Sequence, residues 1–145
     1  MERQPNQQDT AMYQQCFAVI QSGTAAEARA WFFEHFEATS LGELEQRYPR
    51  GSRERHLFAE FLGFYESTGV LVSRGLLHED VFFDAPFALE LIWEKVGPII
   101  EEWRRTTGDP GIWENVAWLG ERYQVWYDTR WRSKLEAVPV QSGPA

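Results

Sequence analysis

Two long amphipathic segments joined by a glycine-led turn fill the middle of this 145-residue chain. They run from Phe58 to Arg105 as FAEFLGFYESTGVLVSRGLLHEDVFFDAPFALELIWEKVGPIIEEWRR. At about 100° per residue, the first places Leu57, Phe58, Phe61, Leu62, Phe64, Tyr65, Thr68, Leu71 and Val72 over half of a helix circumference. An apolar arc that wide packs on two or more neighbours. Ala59, Gly63 and Val70 occupy the remaining side. This segment therefore reads as the central helix, stopping near Arg74 because Gly75 suits the left-handed residue that closes a helix.

The second segment has its own punctuation. Pro86, after Asp84 and Ala85, fits a first helical position, where the missing N–H is not needed. Leu89, Ile92, Trp93, Val96, Ile99, Ile100 and Trp103 make one stripe, and Glu90, Glu94 and Glu101 line another side. Pro98 inside the pattern predicts a kink about one turn earlier. Arg104 and Arg105 suit the negative end of the helix dipole, and Gly108 suits the exit.

Around this pair the chain reads as further helices. Tyr13, Cys16, Phe17 and Ile20 form a first stripe. Thr24 to Glu27 is a capping-box pattern that opens a second helix, with Ala28, Trp31, Phe32, His35 and Phe36 inward. Ser40 to Glu43 repeats it for a short helix carrying Leu41, Leu44 and Tyr48, ended by Pro49. Asp109-Pro110 reads as the cap and first position of a last helix reaching about Lys134. VLV and VFF are open to strand or helix, but no segment alternates convincingly. The expected fold is all-α, a compact bundle of five to six helices with the two long ones central. It forms a single domain over 10–135, with flexible tails at 1–9 and 136–145.

Seven Trp, ten Phe and five Tyr supply an aromatic core. No apolar run approaches the ~18 residues that span a bilayer, and the polar opening MERQPNQQDTAMYQQ is no signal peptide. A single cysteine, Cys16, excludes an internal disulfide. The expected location is the cytoplasm. The net charge of −8 repels nucleic acid and anionic membrane as a whole-body effect, so neither is expected as a partner.

The run GVLVSRGLLHEDVFFD, then Trp93-Glu94-Lys95, Pro98, Arg104 or Arg105, and Trp118-Leu119 resemble an uncharacterised bacterial family of small helical domains. The similarity covers roughly residues 55–125 and rests on packing residues. Many relatives in that family carry transmembrane helices ahead of this domain. The resemblance implies a helical fold, no known activity and no functional residues to transfer.

Chemistry-bearing clusters read as structural. His56 and Glu60, and His78-Glu79-Asp80 with Asp84, lack the third or fourth converging ligand of a zinc site, and no calcium loop is present. His78, Glu79 and Asp80 instead suit the start of a helix. Glu90, Glu94 and Glu101 face away from the apolar stripe, as a solvated acidic face does. Cys16 lies on an inward stripe, and Ser22, Ser52 and Ser73 lack a nucleophile-elbow context. Arg47, Arg50, Arg53 and Arg55 near Tyr48, and Arg130, Arg132 and Lys134 near Trp126 and Trp131, are basic stretches among aromatics. Glu43, Glu45, Glu54, Asp128 and Glu136 interrupt them. No catalytic residue, metal ligand or cofactor is assigned.

What remains is surface. In the last helix Trp113, Val116, Ala117, Gly120, Tyr123, Tyr127 and Trp131 face one way. Trp118 and Val125, seven apart, lie between an acidic row (Glu114, Glu121, Asp128) and a polar row (Asn115, Arg122, Thr129). Exposed tryptophan is a residue type enriched at interface hot spots. The expectation is a protein–protein interaction or self-associating module: a homodimer with Trp118, Arg122 and Val125 at its contact. The plain alternative is that a neighbouring segment of the same chain covers them. A small-molecule sensor with an aromatic pocket, an undetected enzyme and a nucleic-acid binder are the other classes.

Overall fold

The computed structural model describes residues 3–139, which form seven α-helices. They are α1 (Gln7–Ile20), α2 (Gly23–His35), α3 (Leu41–Arg47), α4 (Arg53–Ser73), α5 (Glu79–Phe83), α6 (Leu89–Thr107) and α7 (Glu114–Ala137). The helix beyond the expected five to six is α5. It turns the short hydrophobic link between the long segments into a helix capped by His78, whose Nδ1 accepts the Asp80 amide at 3.1 Å.

The expected centre is the observed one. α4 packs on α2 along one side and on α7 along the other. Every residue of its predicted arc except Leu71 is buried. Phe61 stacks on Phe32 of α2 at 4.3 Å between ring centroids, and Phe58 stacks on Phe36 at 5.3 Å. Helix α4 ends where the sequence places its end. Gly75 takes φ +71°, its amide bonds Val72 O at 3.0 Å, and Leu76 N bonds Leu71 O at 2.8 Å. These are the paired bonds of a Schellman close, which satisfy the carbonyls a helix leaves open.

Both helix-opening prolines are placed differently from the expectation. Pro86 lies in a turn in which Phe87 N bonds Ala85 O at 2.8 Å and Phe87 is driven fully into the core. Pro110 likewise lies in a turn, and α7 starts only at Glu114. A fixed φ near −65° suits a turn as well as a helix start. At Pro86 the turn is what carries the following aromatic, Phe87, into the core. Ala88 and Trp113, the caps of α6 and α7, take left-handed φ of 55° and 48°, and neither helix has a side-chain cap of its own. Helix α6 continues unbroken through Pro98, where a kink is expected from the sequence.

The capping boxes divide. Ser40 accepts the Glu43 amide at 3.1 Å, while Glu43 reaches past it to the Thr39 amide at 3.0 Å. The Thr24–Glu27 box does not form. Gly23, at φ +57°, starts α2 just after Ser22, whose hydroxyl turns back to donate to Ala18 O of α1.

Residues 3–9, read from composition as tail, are tied into the domain. Asn6 and Asp9 form a reciprocal capping box at the start of α1, and Asp9 is completely buried. At the other end α7 reaches Ala137, so residues 136 and 137 are helical, and 140–145 lie outside the described residues. Among the described residues no helix is long and apolar enough to cross a membrane.

Candidate functional site

Trp118, Arg122, His78 and Glu79, all singled out from the sequence, meet at one corner, where α7 passes the turn between α4 and α5. Asp9 anchors it. Its carboxylate accepts both guanidinium nitrogens of Arg3 at 2.6 Å, the Asn6 amide at 2.8 Å and the His78 amide at 2.8 Å. Arg3 also donates to Gly75 O at 3.0 Å, and His78 Nε2 lies 2.7 Å from Arg3 O. A carbonyl offers only acceptors, so His78 carries its proton on Nε2, which leaves Nδ1 free to cap α5. The N-terminal segment thus straps the α4–α5 turn. The Arg3 guanidinium, followed by the backbone donors, holds the Asp9 carboxyl well below the usual carboxylate range.

Helix α7 is attached at three levels. Glu66 of α4 accepts the amides of Asn115 (3.1 Å) and Val116 (2.9 Å) and the Asn115 side chain (3.0 Å). A neighbouring helix therefore supplies the negative cap that Trp113 lacks. Gly69 permits the approach, because a Cβ there would lie 2.9 Å from Asn115 O. At the middle level Gly120 receives the Trp93 indole, 2.2 Å from where a Cβ would be, and the same ring lies over Gly97. Further out, three acids of the α5 region meet α7 at successive turns. Glu79 binds Arg122 through two bonds of 2.7 Å, Asp80 accepts Trp126 Nε1 at 2.7 Å, and Asp84 accepts Arg130 at 2.9 Å.

Of the three predicted contact residues, the structure leaves one fully available. Val125 is 54% exposed. Trp118 is half-buried, lining an open groove of about 410 Å³ with Val72, Gly75, Leu77, His78 and Arg3. Arg122 lines the same groove and is engaged by Glu79. The same-chain alternative thus accounts for one face of Trp118 and leaves Val125 open.

The basic stretches are largely neutralised in place. Arg47 pairs with Glu37 and Arg53 with Glu27. Arg55 is buried, donates to Tyr48 O at 3.1 Å and to Glu45, and stacks on Trp103. Arg130 is held by Asp84 over Trp126, and Lys134 lies over Trp131. Glu90, Glu94 and Glu101 are exposed, as the sequence indicates. Among the described residues no three His, Cys, Asp or Glu side chains converge to hold a metal.

The space enclosed by Tyr65, Leu89, Ile92, Trp93, Val116, Leu119 and Gly120 is about 10 Å³, too little for anything larger than one water. The Tyr65 hydroxyl is buried without a hydrogen-bond partner among the described residues, and burial pushes its pKa up. Burial also raises the Cys16 thiol on α1. Outside the Arg3–Asp9 pair, these shifted groups do not share a cleft.

Of the three acids that hold α7 and the strap, sequence reasoning misses Asp9 and Glu66, and reads Glu79 as a helix-start acid rather than as the partner of Arg122. Asp9 leaves a readable trace, as the Asn6-Gln7-Gln8-Asp9 capping pattern. Glu66 and Glu79 act on an element distant in sequence, and no local pattern marks those contacts.

No curated protein and no solved structure is similar to this chain. A family model does match, and over far more than the 55–125 expected from the packing residues. Its residues 4–123 take in the Asn6 cap, the buried Asp9 and the α4–α5 turn, and stop where α7 leaves the core. On that match the chain belongs to the family described as domain of unknown function (DUF4760).

Proposed function

We propose that this domain is a protein–protein interaction module that self-associates as a homodimer, and that α7 is the element through which it does so. What supports this reading is where α7 stops being part of the core. The helix is 24 residues long, about 36 Å, and its last buried residue is Gly120. Beyond that point Val125, Trp131 and Leu135 are exposed. A helix that carries aromatic and aliphatic side chains past its own domain is suited to a partner.

The outer face of α7 offers one surface for such a contact, made of Val125, the open edge of Trp118 and the Arg122 guanidinium between them. Light scattering across micromolar concentrations tests the reading, with Trp118→Ala and Val125→Glu as variants and circular dichroism as the fold check. The wild type should be dimeric. A monomer at every concentration rejects self-association, whereas a dimer that survives both folded variants moves the contact to another face of α7.

A further inference from the structure

The overhanging part of α7 carries a second face, a third of a turn from Val125. At about 100° per residue, Trp131 and Leu135 lie on one strip with Gln124, about 40° apart. Asp128 and Arg132 form one flank of that strip, four residues apart. Tyr127 and Lys134 form the other. Trp131 is 45% exposed and Leu135 69% exposed. Its nearest companions are its own helix neighbours, Tyr127 with ring centroids 5.9 Å apart and Lys134 above the ring. Asp128 accepts only the Gln124 side chain at 3.0 Å, and Arg132 makes no ion pair or hydrogen bond among the described residues. This strip continues the buried side of α7, Val116 to Gly120, past the edge of the domain.

An antiparallel twofold between two such helices keeps each flank on its own side and reverses its order. Residues i and j of one flank then meet as i with j of the partner and j with i. With the axis near residue 130, Asp128 is level with the second copy's Arg132, and Arg132 with its Asp128. On the other flank Tyr127 is level with the second copy's Lys134, a cation over an aromatic face. The two Trp131 rings meet beside the axis. A parallel pairing exchanges the flanks and brings neither match. One face thus carries an exposed apolar centre, a cation with no ion pair among the described residues and an acid placed to answer it under a single symmetry operation.

We infer that the partner of this face is a second copy of the same chain, joined antiparallel through residues 124–137 with Trp131 at the twofold. The inference rests on the self-association reading and assigns its contact to the Trp131 face rather than the Trp118–Val125 face. The test is a charge exchange on the full chain, read by sedimentation equilibrium up to about 100 μM, a range suited to a small helix-pair contact. Asp128→Arg and Arg132→Asp each place like charges together twice, so each should weaken dimerisation roughly tenfold. Mixed in equal amounts they restore both pairs, and a heterodimer of wild-type strength should form. Both substitutions are at exposed positions, and circular dichroism checks the fold. If each variant dimerises like wild type, or mixing restores nothing, the antiparallel contact is wrong. If in addition Val125→Glu abolishes the dimer, the outer face is the contact and the function proposed above survives. A wild type that is monomeric throughout overturns both.

Discussion

The two ends of the chain are opposites in composition and in fate. Residues 3–9 are polar, yet Asp9 is completely buried and its carboxylate takes four hydrogen bonds from the residues around it. The end of α7 carries Trp131 and Leu135 among its charged residues, yet from residue 131 on every described residue is exposed. Hydrophobicity says which groups gain by leaving water. It does not say whether a segment finds partners, and a charged group whose every lone pair is answered can be buried where a tryptophan is not.

The strongest way to break this comparison is at Asp9. Replacing it by alanine strips the amides of Asn6 and His78 and the Arg3 guanidinium of their acceptor and frees the strap. The free energy of unfolding in urea should fall by about 3 kcal/mol at neutral pH. An effect below about 0.5 kcal/mol would mean that the strap is decoration, since surface changes alone have that size. Acid supplies a second reading of the same group. The folded-state pKa of Asp9 is depressed, so its contribution is complete above the ordinary carboxylate range and is lost as pH falls through that range and below. The stability gap between wild type and Asp9→Asn should therefore be widest at neutral pH and narrow below about pH 4. A gap that stays constant down to pH 2 contradicts the assigned charge state.

Glu66 sharpens the comparison by testing the part of α7 that does belong to the domain. Its carboxylate caps a helix start whose own cap residue is in a left-handed conformation without side-chain support. Glu66→Ala should cost about 1.5 kcal/mol, the usual loss for an N-cap. Hydrogen exchange should show the first turn of α7 opening more readily while α1 and α2 are unchanged. Equal loss of protection across the whole domain would show that Glu66 stabilises something other than this cap.

How much of this is legible beforehand depends on the range of the interaction. The stop of α4 is written locally, because Gly75 is the residue that tolerates the left-handed close and Leu71 to Leu76 lie within one turn of it. The α6 stripe is legible for the same reason: periodicity needs only the helix itself. Pro86 and Pro110 mislead because the property that suits a helix start also suits a turn, and at Pro86 the turn carries Phe87 into the core. Trp118 is legible only in part. A helical projection shows which side faces away from the main stripe, but not that the α4–α5 turn and Arg3 come round to line a groove with it. Nor does a projection show that the last fully buried residue of α7 is Gly120 and that every described residue from Trp131 on is exposed, since Trp131 continues the same stripe.

The smallest expected effect completes the comparison. Leu135→Gln and Trp131→Ala remove large apolar groups, which in a core would cost about 2–5 kcal/mol. Here each should change the stability of the monomer by less than about 0.5 kcal/mol, because the side chains are exposed and little area is returned to water on unfolding. The measurement has to separate folding from association, since any dimer adds concentration-dependent stability. Urea unfolding followed by tryptophan fluorescence well below micromolar protein does so for Leu135→Gln, which keeps all seven tryptophans. Circular dichroism serves for Trp131→Ala. Repeating the titration at high concentration should reveal a loss in both variants relative to wild type that is absent when dilute. A loss of the core-sized amount in the dilute sample would mean that residues 131–137 are packed in the monomer after all, and the contrast between the two ends would disappear.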